Sequence, residues 1–303
     1  MNKFFECFRR LLFISILLLA LTGLIRAQEA SYSVIITIDG LRPDAITKSY
    51  APNIKSLMKG GSYSLEALTV IPSRTLPAHT SLVTGLNPQR HGVLFNHWMP
   101  SMDYLHAETI FSIAKKHGYR SAMFVGKDKL EYIAKPGSVV HFESTSGSPK
   151  SVEEIPSRFS SYVKTEKPEL MFVHFPEPDL TGHKAGWMSE DYIKAFENVD
   201  RAIGQILLSI KEAGIYNDTF VVITSDHGGH GKDHGSSNRY DMTIPWIAFG
   251  KNVRKDYKIR KKVFIYDTAP TVLFALGIEA PLIGDGQPVK DVFINQGNVR
   301  LNP

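Results

Sequence analysis

Cysteine is almost missing from this chain: of 303 residues only Cys7 is one, and it lies in a start unlike the rest of the sequence. Lys3, Arg9 and Arg10 precede an apolar run at 11–21, and Ile25-Arg26-Ala27 offers a small residue as an exit. A charged beginning, a short apolar core and a small-residue exit describe a secretory leader, here 1–27, removed on the way to a secreted or periplasmic location. An uncleaved anchor is the competing reading, but a spanning helix needs about 20 apolar residues and the run falls short. Without Cys7, residues 28–303 have no disulfide and no thiolate ligand, so any metal must be held by His, Asp or Glu. Strong charge imbalance is lacking too. The formal net charge of +5 falls to +2 once the leader goes, which gives no argument for a nucleic-acid partner. The 276 residues that remain are enough for one large core and are read as a single domain with no membrane span.

What the chain does have is alternation. Apolar runs of strand length occur at 34–38, 64–69, 121–125, 170–175, 220–224 and 245–249, each nearly continuous, as strands covered on both faces are. Helical segments at 53–59, 108–117 and 190–212 lie between them, each followed by glycine (Gly60, Gly118, Gly214). A last helix at 268–276 carries Pro270 in its first turn. The β-then-α order predicts an α/β/α sandwich around a mostly parallel central sheet. Residues 144–151 are read as a polar connector, and the basic run 251–262 as a solvated loop.

Three strands end in residues that can hold metal. The first runs into Asp39-Gly40, the fourth leads through Pro176-Glu177-Pro178 to Asp179 and then His183, and the fifth runs into Ser225-Asp226-His227-Gly228. His234-Gly235 follows a little later on a glycine-rich loop. Ligands in open α/β sheets bind beyond the carboxyl ends of strands, so these groups are expected to converge on one rim. Asp39 alone caps a turn as readily as it binds metal, and Asp179 and His183 could be loop residues satisfied by backbone. The doublet Asp226-His227 has fewer structural uses. Together, three Asp and three His suit a hard site served by zinc. Thr75, in Pro72-Ser73-Arg74-Thr75-Leu76-Pro77, opens a helix over 78–84 and is read either as its cap or as a nucleophile placed where the helix dipole favours negative charge.

The ordered set resembles the alkaline phosphatase superfamily, in its nucleotide pyrophosphatase/phosphodiesterase branch. It comprises Asp39-Gly, Pro-Ser-Arg-Thr75-x-Pro, Thr84-Gly-Leu-x-Pro-x-x-His91-Gly, Asn96, Glu177-Pro-Asp179-x-x-Gly-His183, Ser225-Asp226-His227-Gly and His234-Gly. The resemblance implies an alkaline phosphatase-like fold and a phosphoric ester hydrolase with two divalent metal ions, zinc by preference. It places one metal on Asp179, His183 and His234, and the other on Asp39, Asp226 and His227, with Thr75 as ligand and nucleophile. It also implies Asn96 as a phosphoryl-oxygen partner and a two-step displacement through phosphothreonine. His91 is read as structural, and His230 as solvent-exposed or supporting the ligands.

The substrate expected is a small phosphate ester, a nucleotide or other phosphodiester. Leu76 replaces an aromatic residue that nucleotide-cleaving members of the branch use against a base, which leaves base specificity open. Two divalent cations, three aspartates and a Thr75 alkoxide make a site of about zero net charge, better matched to a diester than to a dianionic monoester. Asn96 is neutral, so a well-placed arginine, Arg74 or Arg90, is what could reverse this preference. The rivals are a phosphomonoesterase or phosphonate hydrolase on the same scaffold, and a non-catalytic envelope protein. A formylglycine sulfatase would need a Cys/Ser-x-Pro-x-Arg pattern that 73–77 lack.

Overall fold

The computed structural model describes residues 30–278 and 284–294. The leader expected at 1–27, with Cys7, lies outside the described residues. One sheet organises the rest. Its strands are β1 (Tyr32–Ile38), β2 (Ser62–Leu68), β3 (Ser121–Val125), β4 (His141–Ser144), β5 (Leu170–Phe175), β6 (Thr219–Thr224), β7 (Thr243–Gly250) and β8 (Tyr257–Lys258). They stand side by side in the order β4-β3-β5-β1-β6-β7-β2-β8. β7 runs antiparallel to both neighbours, and all other pairs are parallel.

The helices that cover the sheet are α1 (Pro43–Lys48), α2 (Pro52–Gly60), α3 (Thr75–Thr84), α4 (Ile110–Lys116), α5 (Ser151–Glu166), α6 (Asp179–Ala185), α7 (Glu190–Glu212) and α8 (Thr268–Ala275). Because strand side chains alternate, β1 sends Ile35 to one face and Val34, Ile36 and Ile38 to the other. The first face packs on Leu76 and Leu82 of α3, Phe111 of α4 and Val272 of α8. The second packs on Ile54 of α2, Phe159 of α5, and Phe196 and Ile203 of α7. Two cores on opposite faces of one sheet are the α/β/α sandwich that was expected.

The differences lie at the margins. The edge strands β4 and β8 were not anticipated. β4 is only half-buried along its length, and β8 is two residues inside the basic run 251–262, paired with Ser62 and Tyr63 of β2. That run is therefore partly a sheet edge and not wholly a loop. Helix α5 was also unforeseen, because Pro156 stands inside it. Among the described residues no helix is long and apolar enough to cross a membrane.

Candidate active site and metal centre

The strand order brings β5, β1 and β6 together, so the three ligand-bearing ends are neighbours. Their level is fixed by register, with Ile38 opposite Phe175 and Thr37 opposite Thr224. Beyond the ladder, Asp39 N–H donates to Phe175 O (3.0 Å) and Asp179 N–H donates to Asp39 O (3.0 Å). On the other side, the Ser225 hydroxyl donates to Ile38 O (2.7 Å) and accepts from Leu41 N–H (2.9 Å). Gly40 turns the chain at φ +71°, and a Cβ there would lie 2.9 Å from Asp179 Cβ. Glycine is required both for that backbone and for the close approach of the two aspartates. Its carbonyl accepts from the Trp187 indole (2.9 Å) and the Tyr192 hydroxyl (2.8 Å), which locks the turn to α7.

Asp179 opens α6 and His183 lies one turn later on the same helix, so the pair is helical where a loop had been considered. His183 Nε2 stands 3.5 Å from Asp179 Oδ1, and His234 Nε2 stands 3.6 Å from the same oxygen. His227 Nε2 is 3.4 Å from Asp39 Oδ1 and 3.3 Å from Asp226 Oδ2. A tetrahedral ion with bonds of about 2.0–2.1 Å has ligand–ligand edges of about 3.3–3.4 Å. Two groups of donors lie within 4.8 Å of one another: Asp179, His183 and His234, and Asp39, Asp179 and His227. Asp179 therefore belongs to both groups. Asp226, assigned by the resemblance to the second group, is not one of its three members; Asp179 stands in that place, and Asp226 Oδ2 lies 3.3 Å from His227 Nε2.

The donor chemistry fits divalent ions. Among the buried side-chain atoms with no hydrogen-bond partner are Asp39 Oδ1, Asp179 Oδ1, Asp226 Oδ2 and His227 Nε2. Interiors leave few such atoms, and beside three serine hydroxyls the leftovers are these four, gathered in one cluster. The imidazoles agree. Nδ1–H of His183 donates to Lys232 O (3.0 Å), that of His227 to Gly228 O (2.8 Å) and that of His234 to Ser73 O (2.8 Å). Each ring is thus held in the tautomer whose Nε2 lone pair faces the centre. Burial lowers the pKa of His227 and His234, which favours the neutral form that binds metal.

Sequence reading missed four residues that hold this cluster. His174, inside β5, accepts Gly126 N–H at Nδ1 (3.2 Å) and so donates from Nε2 to Asp39 Oδ2 (2.9 Å). His79 sits on α3, its Nδ1 bonded to Thr75 O (2.8 Å) and 3.6 Å from Asp226 Oδ2. Lys127 Nζ lies 2.7 Å from Asp39 Oδ2 and 2.6 Å from Asp179 Oδ2. Lys129 Nζ donates to Asn96 Oδ1 (3.1 Å). Burial opposes ionisation of Asp39, but Lys127 and the His174 hydrogen bond outweigh it and hold the carboxyl well below its ordinary range. Asp226 moves the other way, raised by burial and by the charge of Asp39.

Thr75 is buried at the first position of α3, and Arg74 takes the cap position. The cap alternative for the Thr75 hydroxyl is thus set aside. The helix start joins the rim through Ser73, whose carbonyl holds His234, and through Leu76 N–H, which donates to Asn96 Oδ1 (2.9 Å). Asn96 thus has its side-chain carbonyl oxygen occupied by two donors, Leu76 N–H and Lys129 Nζ. Leu76 is fully buried in the core, so it faces no substrate. His91 bonds to the Ser81 hydroxyl (2.9 Å), and His230 to Asp241 (2.6 Å), which steadies the loop carrying His234.

An α/β/α sandwich with an Asp/His cluster on the rim and a threonine at a helix start defines an alkaline phosphatase-like protein. A family model for type I phosphodiesterase / nucleotide pyrophosphatase matches residues 33–238, and the chain belongs to that family. It is 27% identical over 256 residues to human ectonucleotide pyrophosphatase/phosphodiesterase family member 1, covering 76% of this chain and 26% of the relative. The chain spans about a quarter to a half of the length of these curated relatives. Murine ectonucleotide pyrophosphatase/phosphodiesterase 5, solved as an inactive threonine-to-alanine variant with AMP, superposes with a TM-score of 0.73 at 17% identity, covering 87% of this chain and 100% of that one. A 2-O GAG sulfatase superposes with a TM-score of 0.72 at 14% identity, covering 87% and 74%. These likenesses establish the shared fold.

Proposed function

We propose that the chain is an exported two-metal hydrolase of phosphoric esters with Thr75 as its nucleophile. The observation that carries this reading is the set of buried, partnerless ligand atoms of Asp39, Asp179, Asp226 and His227 beside the start of α3. Two divalent ions, zinc by the nature of the donors, held by Asp179, His183 and His234 and by Asp39, Asp226 and His227, would supply positive charge to the phosphoryl oxygens and lower the hydroxyl pKa. Thr75 Oγ1 attacks phosphorus in line, the P–O bond to the leaving group breaks, and water then cleaves the phosphothreonine by a second displacement. Asn96 donates its amide N–H to a phosphoryl oxygen, because its own oxygen is tied to Leu76 and Lys129. The α3 dipole favours the same negative charge.

Family membership and the AMP bound to the murine protein support nucleotide-derived phosphodiesters and pyrophosphates as the first substrates to try. The charged and apolar leader at 1–27 supports export to a secreted or periplasmic location. The test is turnover of bis-p-nitrophenyl phosphate and p-nitrophenyl phosphate by metal-loaded protein. Thr75→Ala is expected to keep its metal while kcat drops by about a thousandfold or more. A variant within tenfold of the wild type would remove Thr75 from the role.

A further inference from the structure

Lys127 and Lys129 have no part in the displacement just described, yet both are turned into its site. β3 ends at Val125, beside β5, and Gly126 N–H is fixed by His174. The chain then enters a 3-10 turn, Asp128–Ile133, with Asp128 exposed and the two lysines on either side of it drawn inward. The Lys127 side chain is only 14% exposed and uses Oδ2 of Asp39 and Oδ2 of Asp179. The partnerless oxygens of the same residues are Oδ1. Lysine and metal therefore address different lone pairs, and one does not displace the other.

Lys129 is half-buried and makes no ion pair among the described residues; its partners are the side-chain and backbone oxygens of Asn96. An ammonium removed from water with only neutral partners is costly unless an anion completes its shell. Asn96 is the residue set to meet a phosphoryl oxygen, so the anion that reaches Asn96 also reaches Lys129. The two arginines that sequence reading singled out have other neighbours than Asn96. Arg90 pairs with Asp285 (3.4 Å), and the exposed Arg74 lies along Gly235.

These two lysines change the charge balance. Two divalent ions are offset by Asp39, Asp179, Asp226 and the Thr75 alkoxide, which on its own leaves a neutral site suited to a monoanionic diester. Two further ammonium groups make it suited to a dianion. We infer that Lys127 and Lys129 bind the non-bridging oxygens of a terminal phosphoryl group and direct the site to phosphate monoesters over diesters. The inference rests on the hydrolase reading above and reverses the diester preference drawn from the sequence.

The experiment compares metal-loaded wild type, Lys129→Met and Lys129→Arg. One readout is the ratio of kcat/KM for p-nitrophenyl phosphate to that for bis-p-nitrophenyl phosphate at one pH and metal concentration. A second, independent of turnover, is the affinity for inorganic phosphate and for dimethyl phosphate by isothermal titration calorimetry, with metal content checked by elemental analysis. A hydrogen bond to a charged group is worth roughly tenfold or more. The wild type is expected to favour the monoester by at least that factor. Lys129→Met should cut the ratio and the phosphate affinity tenfold or more with metal content unchanged, and Lys129→Arg should restore part of both. If Lys129→Met does not fold, Lys129→Gln takes its place. A tenfold diester preference in the wild type, or a Lys129→Met ratio and phosphate affinity within threefold of wild type, overturns the inference. Turnover that ignores Thr75→Ala would instead defeat the hydrolase mechanism, while loss of phosphate binding in Lys129→Met would still support the lysine.

Discussion

In metal-free protein, Asp226 is a fully buried carboxylate with one oxygen satisfied and the other not. Oδ1 accepts from Gly40 N–H (3.1 Å) and His227 N–H (3.0 Å), whereas Oδ2 has no partner and faces the lone pair of His227 Nε2 at 3.3 Å. Asp226→Asn keeps the shape and both backbone hydrogen bonds, and it places an amide N–H opposite that lone pair. A buried polar atom left unsatisfied costs about 1–3 kcal/mol, so at pH above the raised pKa of Asp226, where the carboxyl is ionised, the chelated variant is expected to be more stable than chelated wild type by about that much. For a chain of this size that is roughly 2–4 °C in Tm per kcal/mol. The pH dependence follows from the direction of the shift. Burial and Asp39 raise the folded pKa of Asp226 above its unfolded value, so the native state binds the proton more tightly. Stability is then greatest below the unfolded pKa and declines as pH rises through the folded one. Asp226→Asn removes this decline. Asp39, whose carboxyl is held low against burial by Lys127 and His174, contributes stability present above the unfolded pKa and lost as pH falls through the folded one, and this acid-side loss stays in the variant. Adding zinc reverses the order, because ligand at about 1,000 times its Kd adds about 4 kcal/mol to a protein that binds it. The assay is thermal unfolding of both proteins across pH with chelator and then with zinc, alongside turnover. A chelated Asp226→Asn protein that melts at or below the wild type, or one that retains wild-type turnover, refutes the reasoning.

Exhaustive chelation is expected to abolish turnover and zinc to restore it; full activity with metal absent by elemental analysis would contradict the Asp/His assignment. Thr75→Ser keeps a hydroxyl at the start of α3 and should retain turnover well above Thr75→Ala in the same assay. Gly40→Ala must hold an L-residue at φ +71° and push against Asp179 Cβ 2.9 Å away. The backbone term alone costs about 1–2 kcal/mol, and displacing Asp179 should lower zinc affinity in a competition titration; unchanged melting and zinc affinity would show the approach to be slack.

The architecture was legible because most of the sheet is buried on both faces. β1, β3, β5 and β6 are buried along nearly their whole length, and such runs announce themselves. Helix α7 was placed at 190–212 in both readings, since Ser189 caps its start and Gly214 follows its end. What escaped notice lacks that contrast. β4 alternates with neither face dry, β8 is two residues among lysines, and α5 hides behind Pro156, which argues locally against a helix that Ile155, Phe159 and Val163 nevertheless anchor in the core.

The site divides along a different line. Asp39, Asp179 and Asp226 could be found because each follows a strand, and three carboxylates at strand ends have one common explanation. Lys127 follows a strand too, two residues after β3, but nothing local says that β3 lies against β5; that adjacency belongs to the order β4-β3-β5-β1-β6, which arises only when the chain is folded. His174 is harder still, since one imidazole in the apolar run LMFVHF reads as a core residue until Asp39 is seen 2.9 Å away. The residues missed are thus those whose role depends on a neighbouring strand, and they are positively charged or donors. A ligand set read from strand ends alone therefore captures the carboxylates of the cluster and leaves out the cations beside them. The neutral charge balance drawn from the sequence inherited that bias, because it counted the carboxylates and left out Lys127 and Lys129.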